Sequence, residues 1–151
     1  MEQVLFDLED DFSLIGIHST EEDYRLAYLL NKHLNTKLTR FKHNLDFKDS
    51  PSEYPLFEYN DCKSLNNYYL INNKCSIKAT SNTEGLFGGN YSKTTYLIPE
   101  KKEIDFFYKI DGCNNPVFLK KLVTDLKKIN QIITCYLIDP TNLKSKNHLI
   151  F

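Results

Sequence analysis

Apolar residues recur along this chain with two periods, one close to four and one of two, and the switches between them outline its elements. The order read this way is strand, helix, about five strands, helix, strand. Ser19-Thr20-Glu21-Glu22 has the form of a capping box, so the first helix is predicted to start there. Tyr24, Ala27, Tyr28, Leu30 and Leu34 follow at helical spacing, with Leu26 and Leu29 beside them, as its apolar face. The second helix is predicted from Asn115-Pro116, a cap residue followed by the proline that suits the first helical position. Leu119, Leu122, Val123, Leu126 and Ile129 form its stripe, and Lys120, Lys121, Thr124, Lys127 and Lys128 take the other side. Such a helix lies on something flat.

Residues 38–48 alternate strictly, with Thr39, Phe41, His43, Leu45 and Phe47 on one side and Arg40, Lys42, Asn44, Asp46 and Lys48 on the other, which predicts a strand. Further strands are expected at 13–18, 55–61, 67–72, 94–98, 104–110 and 132–138. Short Asn-, Asp- and Ser-containing connections point to an antiparallel meander with helices on one face and water on the other. The predicted fold class is α+β: a two-layer sandwich with a largely antiparallel sheet of about six or seven strands and two helices on one face, loosely ferredoxin-type. Residues 76–93, with Gly85, Gly88 and Gly89, read as a flexible loop within a single domain 1–151, and 139–151 as a C-terminal tail.

Composition narrows the class without naming an activity. A 41% hydrophobic and 26% charged chain of 151 residues is long enough for one sizeable core. Ten Phe and ten Tyr with no Trp make that core rich in rings. Twenty acidic and nineteen basic residues nearly cancel, so no global field recruits nucleic acid or an anionic membrane. The balance is uneven locally: eight carboxylates and no Lys or Arg lie between Glu2 and Asp23, whereas lysines gather in the last third. No apolar run is long enough to span a bilayer, and Met1-Glu2-Gln3 does not open a signal peptide, so a cytoplasmic location is expected. Cys62, Cys75, Cys113 and Cys135 lack the close spacing of zinc ligands and read as reduced packing residues.

One segment reads as a signature. Ile98-Pro99-Glu100, three residues, then Ile104-Asp105-Phe106 resembles the motif of the bacterial IPExxxVDY family, with Ile104 in place of Val and Phe106 in place of Tyr. Asp23-Tyr24-Arg25-Leu26 and the ending Leu143-Lys144-Ser145-Lys146 with Leu149-Ile150-Phe151 also resemble that family, so the likeness spans most of the chain. It implies no particular activity. It does imply that the 76–93 connection is longer than usual, and that members are encoded near a double-strand-specific ribonuclease, which points to RNA or the ribosome.

From the residues themselves, Pro99 ends a strand, and the corner either fixes a hairpin or brings Glu100 and Asp105 together to bind a partner's cation or a metal. The fixed corner is the simpler reading. Phe106 lacks a hydroxyl, which argues against chemistry at that position. The cluster Glu84 to Asn90 has neither the spacing nor the following Gly-Lys-Ser/Thr of a phosphate loop. Arg40-Phe41-Lys42-His43 interleaves rings and cations, but alternation sends them to opposite faces, unlike a single-strand platform. His18, His33, His43 and His148 are scattered, and Ser19 beside His18 lacks a nucleophile turn. No catalytic residue, cofactor or metal is expected.

The expected function is therefore a non-catalytic protein-interaction or adaptor module working through a sheet edge, the Ile-Pro-Glu corner or the tail. A homodimer is one form of that reading. The alternatives are an RNA- or ribosome-associated factor using Lys120, Lys121, Lys127 and Lys128, and an enzyme or small-ligand domain with a pocket between helices and sheet. The tail, ending in Leu149, Ile150 and Phe151, is expected to dock on its own domain, with a partner's groove as the other destination.

Overall fold

Strand β1 (Phe12–His18) is apolar at most positions because it runs through the interior of a sheet covered on both faces. The protein, described here from a computed structural model over residues 12–47, 50–80, 90–112 and 115–151, is an α+β sandwich. After β1 come α1 (Asp23–Leu34), β2 (Thr39–Arg40), β3 (Leu45–Asp46), β4 (Glu53–Tyr54), β5 (Leu56–Asp61), β6 (Asn66–Asn72), β7 (Lys74–Thr80) and β8 (Asn90–Tyr96). Then follow β9 (Phe106–Asp111), α2 (Pro116–Lys127) and β10 (Thr134–Ile138). The six-stranded sheet has the order β10-β1-β9-β6-β5-β2, every neighbouring pair antiparallel. With α1 after β1 and α2 after β9, the strands β10-β1-β9-β6 have the βαββαβ plan of a ferredoxin-type sandwich, extended by β5 and β2. Pairs β3-β4 and β7-β8 form two small separate sheets.

Both helices rest on one face, where Leu26, Leu30, Leu119, Leu122 and Leu126 pack onto Ile15, Ile17, Leu70, Phe106 and Ile110. Alternate residues of the same strands point the other way, so Leu14, Leu56, Ile71 and Phe107 form a second apolar layer. That face is not wet, contrary to expectation. Leu97, Ile98, Ile104, Leu143 and Leu149, from the corner and the tail, cover it.

Four local expectations are corrected by tertiary partners. The first helix starts at Asp23 rather than Ser19, and its N-cap, Glu22, receives no side-chain cap bond. The Ser19 hydroxyl is committed elsewhere, donating to the Gln131 carbonyl at 2.8 Å. The buried face of α1 is Leu26, Ala27, Leu29 and Leu30, while Tyr24 and Tyr28 are exposed. The alternating run 38–48 is not one strand: only Thr39 and Arg40 pair with β5, and Leu45 and Asp46 pair with β4 instead. Within 76–93, the parts at 76–80 and 90–93 belong to the β7-β8 hairpin, and the glycine cluster at 84–89 lies outside the described residues. The start of α2 is as predicted: Asn115 Oδ1 accepts from the Val117 amide at 3.0 Å, with Pro116 in the first turn.

Candidate functional site

The Ile-Pro-Glu corner is organised by a residue outside the motif. Asn73, fully buried just after β6, donates from Nδ2 to the carbonyls of Lys101 at 2.9 Å and Ile104 at 2.8 Å. Its Oδ1 accepts from the Ile98 amide at 2.9 Å. Its own backbone joins the same knot, accepting from Leu97 at 2.8 Å and donating to Asp105 at 3.1 Å. Pro99 opens a single 3-10 turn, Pro99–Lys101, for which its fixed φ and missing N–H are suited. These bonds satisfy the Leu97 and Ile98 amides and the Lys101, Ile104 and Asp105 carbonyls, as burial requires.

The motif residues then divide between the two layers. Ile98 and Ile104 are fully buried on the corner side, whereas Phe106 enters the helix-side core. Gly16 of β1 makes room for Ile104: a Cβ there would lie 2.8 Å from the Ile104 Cδ1 and from the Ile138 Cδ1. Asp105 accepts from the Ser19 amide at 2.9 Å and from Lys74 Nζ at 2.7 Å, tying the end of β1 to the start of β7. Glu100 takes different partners, accepting from the Ser145 amide at 2.7 Å and the Ser145 hydroxyl at 2.9 Å. The two carboxylates share no partner, so the structure does not bring them together as a cation site. Partial desolvation would raise the Glu100 pKa, but the hydrogen bonds from its own amide and from Ser145 outweigh it and hold the group below the ordinary carboxylate range.

Glu100 thereby clamps the tail. Asp139 caps the 3-10 turn Pro140–Asn142 by accepting from the Thr141 amide at 3.1 Å. A second turn, Lys146–Leu149, delivers Leu149 into the core with no exposed surface. His148 Nδ1 donates to the Leu97 carbonyl at 2.7 Å, and its ring packs on Phe47. Ile150 stays half-exposed, and Phe151 lies edge-on to Tyr69 with centroids 5.1 Å apart.

Beneath Phe151 lies a residue for which the sequence offers little signal. Lys109 points from β9 into the tail layer, with its side chain 3% exposed, and its Nζ sits 4.1 Å from the Phe151 centroid, 4.9 Å from Phe12 and 5.2 Å from Tyr69. The rings' negative faces surround the cation, and Asp111 lies 3.4 Å away. Burial pushes the ammonium below the ordinary lysine range, against the opposing pull of Asp111. Enclosed this way, the amine has no open path to a substrate carbonyl; it is a packed cation rather than a presented nucleophile. The one hint in the sequence is a lysine inside the otherwise buried run Phe106 to Ile110.

Lys120, Lys121, Lys127 and Lys128 are all exposed on α2 and just after it, with Lys128 Nζ 3.8 Å from Asp125. Another open feature among the described residues is the sheet's outer strand β10. Among the described residues it pairs with β1 on one side alone, and Ile133, just before it, with Tyr136 and Leu137 in it, are 69%, 37% and 43% exposed. Tyr136 is held by packing on the His18 ring and by a 3.1 Å hydrogen bond between its hydroxyl and His18 Nε2. From Gln131 to Ile138 there is no charged residue. The opposite edge differs: β2 is two residues long and carries Arg40, whose guanidinium covers the Phe41 and Leu56 carbonyls.

An α+β sandwich with two covered faces and, among the described residues, no strand paired to the outer side of β10 is the class these observations define. No family model, curated protein or solved structure matches the chain. No helix among the described residues is long and apolar enough to cross a membrane.

Proposed function

We propose that the protein is a non-catalytic interaction module that adds an extended segment of a partner protein to the edge of β10. The observation that carries this reading is the edge itself. It is five residues long, uncharged, and lined by exposed Ile133, Tyr136 and Leu137, where natural sheets ordinarily place charge, proline or a cover. The corner and Leu143 and Leu149 of the tail are packed into the protein's own core, which leaves Ile150 and Phe151 as the tail's exposed apolar residues. A strand-forming guest supplies backbone groups to the open side, with apolar residues on one face beside Ile133 and Leu137 and a residue on the other face beside Tyr136. Exposed Lys127 and Lys128 lie at the C-terminal end of α2, a few residues before β10, so acidic residues flanking the guest fit best.

The test uses fluorescence anisotropy with extended peptides of alternating Val and Thr, with and without an acidic flank. The protein is expected to bind the flanked peptide, and Ile133→Lys with Leu137→Lys to weaken it by at least about tenfold while leaving the melting temperature nearly unchanged. Equal binding by protein and variant overturns the reading. So does a concentration-dependent dimer in sedimentation velocity that the variant abolishes, because the edge then belongs to a second copy.

A further inference from the structure

An open cleft of about 300 Å³ separates the end of α1 from α2 on the helix face of the sheet. Leu34, Tyr68, Phe118 and Leu122 give it apolar walls, and the exposed His33 and Lys121 stand at its mouth. The exposed cations around it are uncommitted: Lys120 and Lys121 on α2, and Lys32 and Lys37 on either side of the end of α1, make no ion pair among the described residues. Asp125, which also lines the cleft, already faces Lys128 at 3.8 Å.

The chain enters the sheet at the same end of the molecule. Phe12 of β1 stands opposite Asp111 of β9, and Tyr68 of β6 opposite Ile110, so the cleft lies two strand spacings from β1, about 10 Å. Helix α2 begins a few residues after Asp111, and its Val117, 77% exposed, lies one turn before Lys121 on the way from Phe12 to the cleft. Residues 1–11 precede Phe12 and lie outside the described residues. Eleven residues reach about 35 Å when extended, ample for this distance. Their sequence places Val4, Leu5, Phe6 and Leu8 among five carboxylates, with no Lys or Arg. The apolar residues match the walls of the cleft and the carboxylates match its rim, whereas on the opposite face Asp111 stands beside Phe12 and repels such a segment.

We propose that the chain's own N-terminal segment docks in this cleft, with the apolar side chains of Val4 to Leu8 against Leu34 and Phe118 and its carboxylates toward Lys120, Lys121 and Lys32. The surface is separate from the β10 edge and is occupied in the same molecule. A tethered segment needs little intrinsic affinity, since a short linker holds it at an effective concentration of roughly millimolar. Seated there, it closes the apolar gap between the helices and engages the lysines of α2, so that another anion reaches them only by displacing it.

Photo-crosslinking of the full chain, with a benzophenone amino acid in place of Phe6 and mass spectrometry of the linked peptides, tests this. Links within one chain to the segments 33–36 or 117–125 are expected, at a yield independent of protein concentration. Raising the salt roughly tenfold, or introducing Lys120→Glu with Lys121→Glu, is expected to cut that yield by at least about threefold, because exposed charges are screened by ions and undone by reversal. Both lysines are exposed, so the melting temperature of the double variant should stay nearly unchanged. Links to β10 or to the tail, links that join two chains, or no links at all overturn the proposal, and so does a yield indifferent to both salt and charge reversal.

Discussion

The two faces of the sheet are both dry, but they are kept dry in different ways. Under the helices, contact is spread over two amphipathic stripes whose members are individually replaceable in kind, Leu and Ile meeting Ile and Phe. Under the corner and the tail, short irregular segments do the covering, and a few polar residues pin them: Asn73, Glu100, Ser145 and His148. Regular helices satisfy their own backbone, so a helical cover needs only an apolar face. An irregular cover must find partners for each buried amide and carbonyl from elsewhere in the chain, which concentrates stability in those partners.

The sharpest break of this contrast is at Asn73. Asn73→Ala orphans the Ile98 amide and the Lys101 and Ile104 carbonyls together, and unfolding in urea is expected to show a loss of about 4 kcal/mol, at about 1–3 kcal/mol for each stranded group with partial relaxation. A loss below that of a helix-face truncation such as Leu119→Ala would remove the contrast. Next comes Leu149→Ala, expected to cost about 3 kcal/mol because the side chain is fully buried. Its effect should appear as a folding loss, in line with the docked tail.

A finer probe is pH. Because Glu100 is held below its unfolded pKa, its contribution is complete above about pH 4.3, the ordinary glutamate value, and is lost as pH falls through the lower folded pKa. Protection of the tail amides, taken as exchange relative to the unstructured-chain rate at each pH, is therefore expected to fall on acidification, and Glu100→Gln to lower it at neutral pH and flatten that dependence; an unchanged protection profile would detach the tail from this clamp. The smallest effect is expected at Lys109. Lys109→Met keeps the stem and removes the desolvated charge, so the urea midpoint should stay level or rise slightly. A fall of more than about 1 kcal/mol would show that the cation is a net contributor to the tail layer, in the range of desolvated cation–π contacts.

The same contrast explains what was legible beforehand. The stripe and cap of α2, and strands β1, β5, β6 and β9, are written locally, and their type and place follow from neighbouring residues. Ser19 misleads because a long-range partner, Gln131, outcompetes the local capping role. Run 38–48 misleads because alternation describes a strand that the sheet uses for only two residues. The dry second face was not foreseen: its cover depends on pairings such as Glu100 with Ser145, which no periodicity encodes. Of the candidate site, the apolar ending of the tail was visible, while Asn73 and the Lys109 cage were not, since a single polar residue in a strand region carries no spacing to read.

The place of β1 in the sheet also sets an order of events. Its neighbours, β9 and β10, start about ninety and about one hundred and twenty residues after it, and the tail that closes the second face comes later still. A chain made from its N-terminal end therefore exposes β1 without partners until β9 and β10 have emerged, and keeps one apolar face of the sheet open until Leu143 and Leu149 arrive. With so much pairing between distant segments, folding belongs to the slow end for chains of this size, and the half-covered sheet is the species most exposed to aggregation along the way.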